Sequence, residues 1–209
     1  GISGMAQAAF IDVVPNTNPA ASLSAVPSYN DYAAGSGYFD FPQVYNTTDS
    51  VLLSHSVAST SADPFKLTFT YLGKEAGYTN SFLYNGSEVF NTGTGPLGTG
   101  GSALGATYST VYSAGLGKLD FGFSSDAWGT PAGSVTNLGT ANVAPGYNFN
   151  IFEAGEDYMI LSLDDNNQVD DNHDDMIIMV KASKVPEPGT LALLGLGLVG
   201  LALRRKVKS

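Results

Sequence analysis

The sequence predicts an all-β protein, with one antiparallel β-sandwich of jelly-roll-like topology over residues 9–183 and a C-terminal hydrophobic helix after it. Charged residues make up only 13% of the 209 residues, whereas the chain holds 25 Gly, 11 Tyr and 11 Phe. Apolar and polar residues alternate in short segments, and turn-forming residues separate these segments. Such a combination is typical of a β-rich exported domain.

Residues 65–71 give the clearest strand prediction, because every second residue is a large apolar one. Strict alternation indicates a sheet with one face in the core and one in water. Residues 118–124 repeat the pattern, with Leu119, Phe121 and Phe123 predicted to point inward. Further strands are predicted at residues 10–14, 51–57, 157–163 and 176–181, and a Gly/Thr-rich loop at residues 91–106.

The dipeptide Asn85-Gly86 lies between two apolar segments. Asn-Gly readily supplies the two positive φ angles of a type I′ turn, which favours a two-residue hairpin. In that register Phe82 pairs with Val89 and Tyr84 pairs with Ser87.

Composition excludes several function classes. The chain has no Cys, so it can form neither a disulfide framework nor a thiolate metal site, and it has no catalytic Cys. Its formal charge is −10, and residues 9–185 contain 18 Asp or Glu against five Lys, a net of −13. An acidic body repels nucleic acid and favours cations. We therefore expect no nucleic-acid partner.

Residues 1–8 are interpreted as the remnant of a signal peptide. The triplet Ala6-Gln7-Ala8 has the small-x-small form of a signal-peptidase site. The mature chain is therefore predicted to start at Ala9.

Residues 184–209 are predicted to form a separate tail in three parts. An apolar run of 15 residues, 189–203, would reach about 22 Å as a helix at about 1.5 Å per residue. A bilayer core is about 30 Å thick, so the predicted transmembrane helix is short. The basic residues after the run place the carboxyl end in the cytoplasm and the body outside. The part before the run consists of Pro186, Glu187 and Pro188. The part after it consists of Arg204, Arg205 and Lys206.

This order of Pro-Glu-Pro, apolar helix and basic cluster resembles the PEP-CTERM sorting signal of bacterial exported proteins. The resemblance implies recognition by an exosortase in the inner membrane and processing near Pro186–Pro188. It also implies that the tail anchors the chain only transiently, before the protein reaches the cell surface or the extracellular matrix.

An acidic run lies between the last two predicted strands. Residues 164–175 hold six Asp, three Asn, one Gln and one His, with no basic residue. Neighbouring carboxylates at about 4 Å repel by about 1 kcal/mol even in water. Hard oxygen donors in this number suit Ca²⁺, whereas one His without Cys does not suit zinc or copper. The run predicts a calcium site, with a solvated acidic turn as the alternative.

The predicted calcium ligands are Asp165, Asn167, Asp170, Asp174 and Asp175, with Asp164 and Asp171 as alternates. The run is not an EF-hand, because Asp175 stands where Gly is required and Lys181 stands where the bidentate Glu belongs. Residues 157–180 also resemble the end of a domain of unknown function often found ahead of this sorting signal. That family has an acidic loop before its last strand, and the resemblance implies calcium binding.

These features favour a non-enzymatic structural protein of the cell surface or matrix. One alternative is a carbohydrate-binding module, in which Trp128 and Tyr residues stack on sugars of an extracellular polysaccharide. Another is a glycoside hydrolase that uses a carboxylate pair among Glu153, Glu156 and Asp157. His55 is interpreted as a strand residue rather than as part of a nucleophilic site.

Overall fold

The computed structural model describes residues 9–15, 44–45, 55–74, 77–94, 100–127, 130–139, 147–165 and 174–186. All regular structure in these ranges is β-strand, which confirms the all-β prediction. The strands are β1 Ile11–Pro15, β2 Val44–Tyr45, β3 His55–Ser59, β4 Phe65–Gly73, β5 Thr79–Tyr84, β6 Ser87–Asn91, β7 Thr107–Tyr112, β8 Gly117–Lys118, β9 Phe121–Ala127, β10 Thr130–Thr136, β11 Asn148–Gly155, β12 Tyr158–Asp164 and β13 Met176–Lys184.

The strands form three sheets in which all pairs are antiparallel. Their orders are β1-β3-β8, β10-β9-β5-β6 and β2-β11-β12-β13-β4-β7. This antiparallel arrangement agrees with the prediction, but the strand order does not confirm the jelly-roll topology. The predicted C-terminal helix lies outside the described residues, and in the described ranges no helix is long and apolar enough to span a membrane.

One main core lies between the six-stranded sheet and the four-stranded sheet. The rings of Phe69 and Phe82 are 5.0 Å apart between centroids, and those of Phe123 and Phe149 are 5.4 Å apart. Sheets that pack face to face through interdigitating side chains form a sandwich. A smaller apolar cluster, with Phe152 and Ile160 at its centre, covers the other face of the six-stranded sheet.

Strand β4 confirms the prediction from alternation. Phe65, Leu67 and Phe69 are fully buried, and Tyr71 is 3% exposed. The polar residue Lys66 is exposed between them. The period of two thus places Phe65, Leu67, Phe69 and Tyr71 in the main core, whereas Leu72 packs in the smaller cluster on the other face.

The β5–β6 hairpin has the predicted turn, with φ of 49° at Asn85 and 73° at Gly86. The predicted pair of Tyr84 with Ser87 is also confirmed. The predicted pair of Phe82 with Val89 is wrong, because a bulge between Phe82 and Leu83 shifts the register and pairs Phe82 with Phe90. This shift turns Phe90 into the core, where it is 4% exposed.

Leu119, Phe121 and Phe123 are buried as predicted, at 0%, 1% and 1% exposure. They do not form one strand, since the chain leaves β8 at Lys118 and enters β9 at Phe121. β8 pairs with β3, whereas β9 pairs with β5 and β10. The break therefore passes the chain from the three-stranded sheet to the four-stranded sheet.

The buried side chain of Asn137 joins these two sheets. Its Oδ1 accepts a hydrogen bond from the backbone N–H of Val57 at 2.8 Å. Its Nδ2 donates to the carbonyl oxygens of Val57 and Leu119 at 2.8 and 2.7 Å. The backbone N–H of Asn137 donates to Phe121 O at 2.9 Å, and its carbonyl accepts from Ser56 Oγ at 2.6 Å. A single residue thus closes the backbone hydrogen bonding across the seam.

Asp157, one of the acids considered for a glycoside hydrolase, makes hydrogen bonds that hold two parts of the fold together. It lies in the β11–β12 turn with φ of 57°, and its Oδ1 accepts from the backbone N–H groups of Phe10 and Ile11. Its carbonyl oxygen accepts from Ala182 N at 2.9 Å. These contacts attach the start of β1 to the six-stranded sheet.

His55 lies in β3 and is buried, as expected for a strand residue.

We predict that Asn137→Asp lowers the free energy of unfolding by about 3 kcal/mol, because two buried carbonyls lose a donor and each such loss costs about 1–3 kcal/mol. The substitution keeps the shape of the side chain, so it creates no cavity. Urea unfolding of the full chain at pH 7 measures the change. Ser134→Ala, on the exposed face of β10, is the control and should change the free energy by less than about 0.5 kcal/mol. An equal effect of both substitutions would contradict the role of Asn137.

Candidate functional site

Four Asp residues meet where β12 ends and β13 begins. Asp164 is the last residue of β12, and Asp174 and Asp175 immediately precede β13. Asp175 N donates to Leu163 O at 3.1 Å, which extends the ladder beyond the paired residues Leu163 and Met176. The strand pairing therefore brings the two ends of the acidic run together.

These acids are unusually buried for charged side chains. Asp164, Asp165 and Asp174 are 1%, 3% and 4% exposed. The backbone N–H of Asp165 donates to Asp175 Oδ2 at 2.8 Å, so Asp165 and Asp175 are in direct contact. Buried charges in proteins are generally paired or bind metals.

Two Asn side chains support the cluster from other strands. Asn80, fully buried in β5 of the four-stranded sheet, donates from Nδ2 to Asp165 Oδ2 at 2.6 Å and to Asp175 O at 3.3 Å. Its buried Oδ1 accepts no hydrogen bond in the part of the chain that the structure describes. Asn148 in β11 donates to Asp164 Oδ2 at 3.4 Å. Sequence analysis missed both residues.

An aromatic ring and a Lys complete the surroundings of the cluster. The ring of Tyr147 lies against the backbone of Gly133, where a Cβ would come within 1.8 Å of Cε2, so that position requires Gly. Burial raises the pKa of the Tyr147 hydroxyl, and the negative charges of Asp165 and Asp164 raise it further. Burial lowers the pKa of Lys74, and the attraction of Asp165 opposes that shift.

Burial raises the pKa of Asp175 from 3.8 to about 9, and the charges of Asp165, Asp164 and Asp174 add to the effect. The hydrogen bond from the Asp165 backbone acts in the opposite direction. Without a cation, the cluster therefore holds a proton more readily than an isolated Asp, because a further negative charge there is costly.

The structure brings together four of the seven predicted ligands, Asp164, Asp165, Asp174 and Asp175. The other three, Asn167, Asp170 and Asp171, belong to residues 166–173, which lie outside the described residues. Within the described ranges, no group of three His, Cys, Asp or Glu side chains has the arrangement needed to hold a metal ion. The described acids alone are thus an incomplete ligand set.

A second polar feature lies on the outer face of the four-stranded sheet. Ser81, Ser124 and Ser134 stand directly opposite one another on β5, β9 and β10. They line a cleft of about 660 Å³, together with Thr79, Ser125, Asp126, Gly133 and Glu88. The cleft thus presents mainly hydroxyl and carboxylate groups.

The two carboxylates of this cleft differ in their partners. Glu88 accepts hydrogen bonds from Ser81 Oγ at 2.6 Å and from Asn91 Nδ2 at 3.0 Å. Asp126 Oδ1 is buried and accepts no hydrogen bond from the described residues. Trp128, which the carbohydrate-binding alternative predicts to stack on sugars, lies outside the described residues.

A family model for the PEP-CTERM protein-sorting motif matches residues 184–206. The match includes Pro186, Glu187, Pro188, Arg204 and Arg205. It begins at Lys184, the last residue of β13. Comparison with curated proteins gives no match.

The motif supports an exported protein that an exosortase sorts through a membrane-associated pathway to the cell surface. The matched residues all lie in the tail, so the motif indicates how the protein is sorted and does not indicate the activity of residues 9–183. Of the tail, the described residues include Lys184, Val185 and Pro186, and Pro186 is exposed.

Proposed function

We propose that this protein is a non-enzymatic structural protein of the cell surface or extracellular matrix whose acidic loop, residues 164–175, binds calcium. The observation that carries the proposal is the meeting of Asp164, Asp165, Asp174 and Asp175 in a largely buried position between two core strands. Such a cluster is costly in a body whose net charge is already strongly negative, and a divalent cation offsets this cost.

The donors of this site suit a hard cation. Ca²⁺ takes six to eight oxygen ligands in a flexible shell, and carboxylate and amide oxygens both serve. Asp165, Asn167, Asp170, Asp174 and Asp175 would hold the ion. Bound calcium would supply positive charge, so that all the carboxyl groups could ionise together.

Two further oxygen-bearing side chains, those of Asn80 and Asp164, have distinct roles at the proposed calcium site. The buried Oδ1 of Asn80 adds an amide oxygen from the opposite sheet. Asp164 accepts a hydrogen bond from Asn148 and orients this end of the cluster, and it serves with Asp171 as an alternate ligand.

The tail would act as a removable sorting signal. Its apolar run is short for a lasting anchor, and Arg204 and Arg205 after it would hold the carboxyl end in the cytoplasm. The motif starts where the last strand ends, which supports processing near Pro186–Pro188 without loss of a strand. The exosortase is therefore the proposed partner in the inner membrane.

A second candidate function is binding of an extracellular polysaccharide in the outer cleft. The row of Ser81, Ser124 and Ser134 favours it, since hydroxyl groups exchange hydrogen bonds with sugar hydroxyls. Asp126 Oδ1 is an acceptor for such a donor. Stacking by Trp128 belongs to this candidate as well.

We predict that calcium at about 100 times its Kd stabilises the full chain by about 2.7 kcal/mol and raises Tm by roughly 5–10 °C. Asp175→Asn should weaken calcium binding by at least about tenfold, because it removes a ligand charge. Isothermal titration and thermal melts measure both effects. Asp63→Asn, which changes an exposed carboxyl between β3 and β4, is the matched control. Absence of heat and of a Tm change with calcium, or an equal response to Mg²⁺, would refute the site.

We predict that protein recovered from the medium of cells that contain the exosortase lacks the residues beyond Pro188. Pro188→Ala should leave the tail attached and the protein in the membrane fraction. Mass spectrometry of both fractions measures the outcome, with Lys181→Ala, just upstream of the motif, as the control. Full-length protein in the medium would count against processing.

We predict that Ser124→Phe, which fills the cleft, reduces binding to any neutral polysaccharide found on a glycan array by more than about tenfold. Ser87→Phe, at an exposed position of the hairpin outside the cleft, should leave binding unchanged. Tm of each variant checks that the fold is intact. If no glycan binds the unchanged protein, the second candidate is wrong, whereas the calcium proposal is unaffected.

A further inference from the structure

In the described part of the chain, strand β7 is an edge of the six-stranded sheet, with β4 as its neighbour on one side. Its residues Thr107–Tyr112 read Thr-Tyr-Ser-Thr-Val-Tyr, all of them strand-forming or small, with no charge, Pro or Gly. The ladder between β7 and β4 runs without a bulge. A flat, uncharged edge of this kind is a template for a further strand.

The backbone of β7 offers hydrogen bonds to such a strand. Tyr71 N donates to Ala106 O at 2.9 Å, just beyond the paired residues Thr70 and Thr107, and this bond sets the phase of the ladder. Because bonding alternates along an antiparallel pair, Tyr108, Thr110 and Tyr112 direct their backbone groups to β4. Thr107, Ser109 and Val111 direct theirs away from the sheet.

Every other edge strand in the described ranges carries a feature that discourages pairing. β1 contains Asp12 and Pro15, β6 contains Glu88, and β10 contains Pro131 next to a bulge. β2 and β8 have only two residues each, and β8 includes Lys118. Short strands, charges, Pro and bulges are the usual protection of sheet edges. β7 has none of them.

The surroundings of β7 are apolar as well as uncharged. Four of the five exposed large hydrophobic residues in the described part of the chain lie between residues 104 and 116: Leu104, Tyr108, Val111 and Leu116, at 74%, 38%, 55% and 69% exposure. No Asp, Glu, Lys, Arg or His occurs from residue 89 to residue 117. Tyr108 and Val111 belong to β7 itself and lie on opposite faces of the strand, so exposed apolar side chains flank the edge on both sides.

We propose that β7 pairs antiparallel with β7 of a second copy of this chain, about a two-fold axis at Ser109. The charge distribution permits this partner at this edge, because residues 89–117 carry no charge and two strongly acidic chains repel least where neither presents a charged side chain. An isologous contact of one strand with itself is the simplest symmetric interface. The six-stranded sheets of the two copies then become continuous. The pairing is independent of calcium and of the outer cleft.

The proposed register has a definite geometry. With the axis at Ser109, this residue lies opposite its own copy, and Thr107 lies opposite Val111. Opposed residues of antiparallel strands have Cα atoms about 4.5–5.5 Å apart, which is within the range that a disulfide can bridge. The absence of native Cys makes introduced Cys residues specific reporters.

Single Cys substitutions in the full chain test this register under oxidising conditions. Ser109→Cys should give a covalent dimer on a non-reducing gel. Thr107→Cys and Val111→Cys should each give little dimer alone but a dimer when the two proteins are mixed. Ser87→Cys, at an exposed position away from β7, controls for random collision and for association through the tail.

A charge on the edge should abolish the pairing without harming the fold. Val111→Glu in the Ser109→Cys chain should reduce the dimer yield at least about tenfold, because a charged side chain on an edge strand opposes pairing with a further strand. Within the monomer the new Glu faces Lys66 on β4, so Tm should hold. Val111→Thr should retain the dimer.

The proposal fails if Ser109→Cys dimerises no faster than Ser87→Cys, or if Val111→Glu leaves the yield unchanged. Adducts of Ser109→Cys with a different protein, identified by their mass, would also overturn it. Because calcium is omitted, the outcome does not depend on the metal site.

Discussion

The junction between the three-stranded and the four-stranded sheets is held by the side chain of Asn137. Val57 and Leu119, whose backbone groups it binds, are both fully buried in the core. The chain leaves the three-stranded sheet at Lys118 and enters the four-stranded sheet at Phe121, so the ladder is interrupted at this point. An amide that donates twice and accepts once adds a second donor to each of the two carbonyls and accepts from the Val57 N–H, whereas an apolar side chain would remove the acceptor of that N–H.

The packing of the layers also builds the acidic site. Asn80 belongs to the four-stranded sheet, whereas Asp165 follows the end of β12 in the six-stranded sheet. Their contact therefore crosses between the sheets, at one end of the core. A cation bound there would join the layers from outside the core, as Asn137 joins the two smaller sheets from inside it. A bound cation would thus take the place of a cross-link in a chain that has no Cys.

Alternation and turn chemistry predicted β4, the Asn85-Gly86 turn and the buried positions of Leu119, Phe121 and Phe123. β11 was missed because it is buried on both faces, so Asn148 and Asn150 interrupt the apolar pattern without being exposed. The bulge beside Phe82 was missed because it depends on how Phe90 packs in the core. The run of Asp residues indicated the site, but Asn80 lies 85 residues from Asp165, and no local pattern connects them.

Strand β13 connects the acidic site to the sorting motif. It begins directly after Asp175, and its last residue, Lys184, pairs with Phe65 at the start of β4. β13 lies between β12 and β4, which hold residues 177–181 from both sides, and β4 alone pairs with residues 182–184. Removal of the residues beyond Pro188 therefore leaves every described backbone ladder intact. Folding of the body and sorting by the tail are physically separable, because the motif begins where the hydrogen-bonded strand ends.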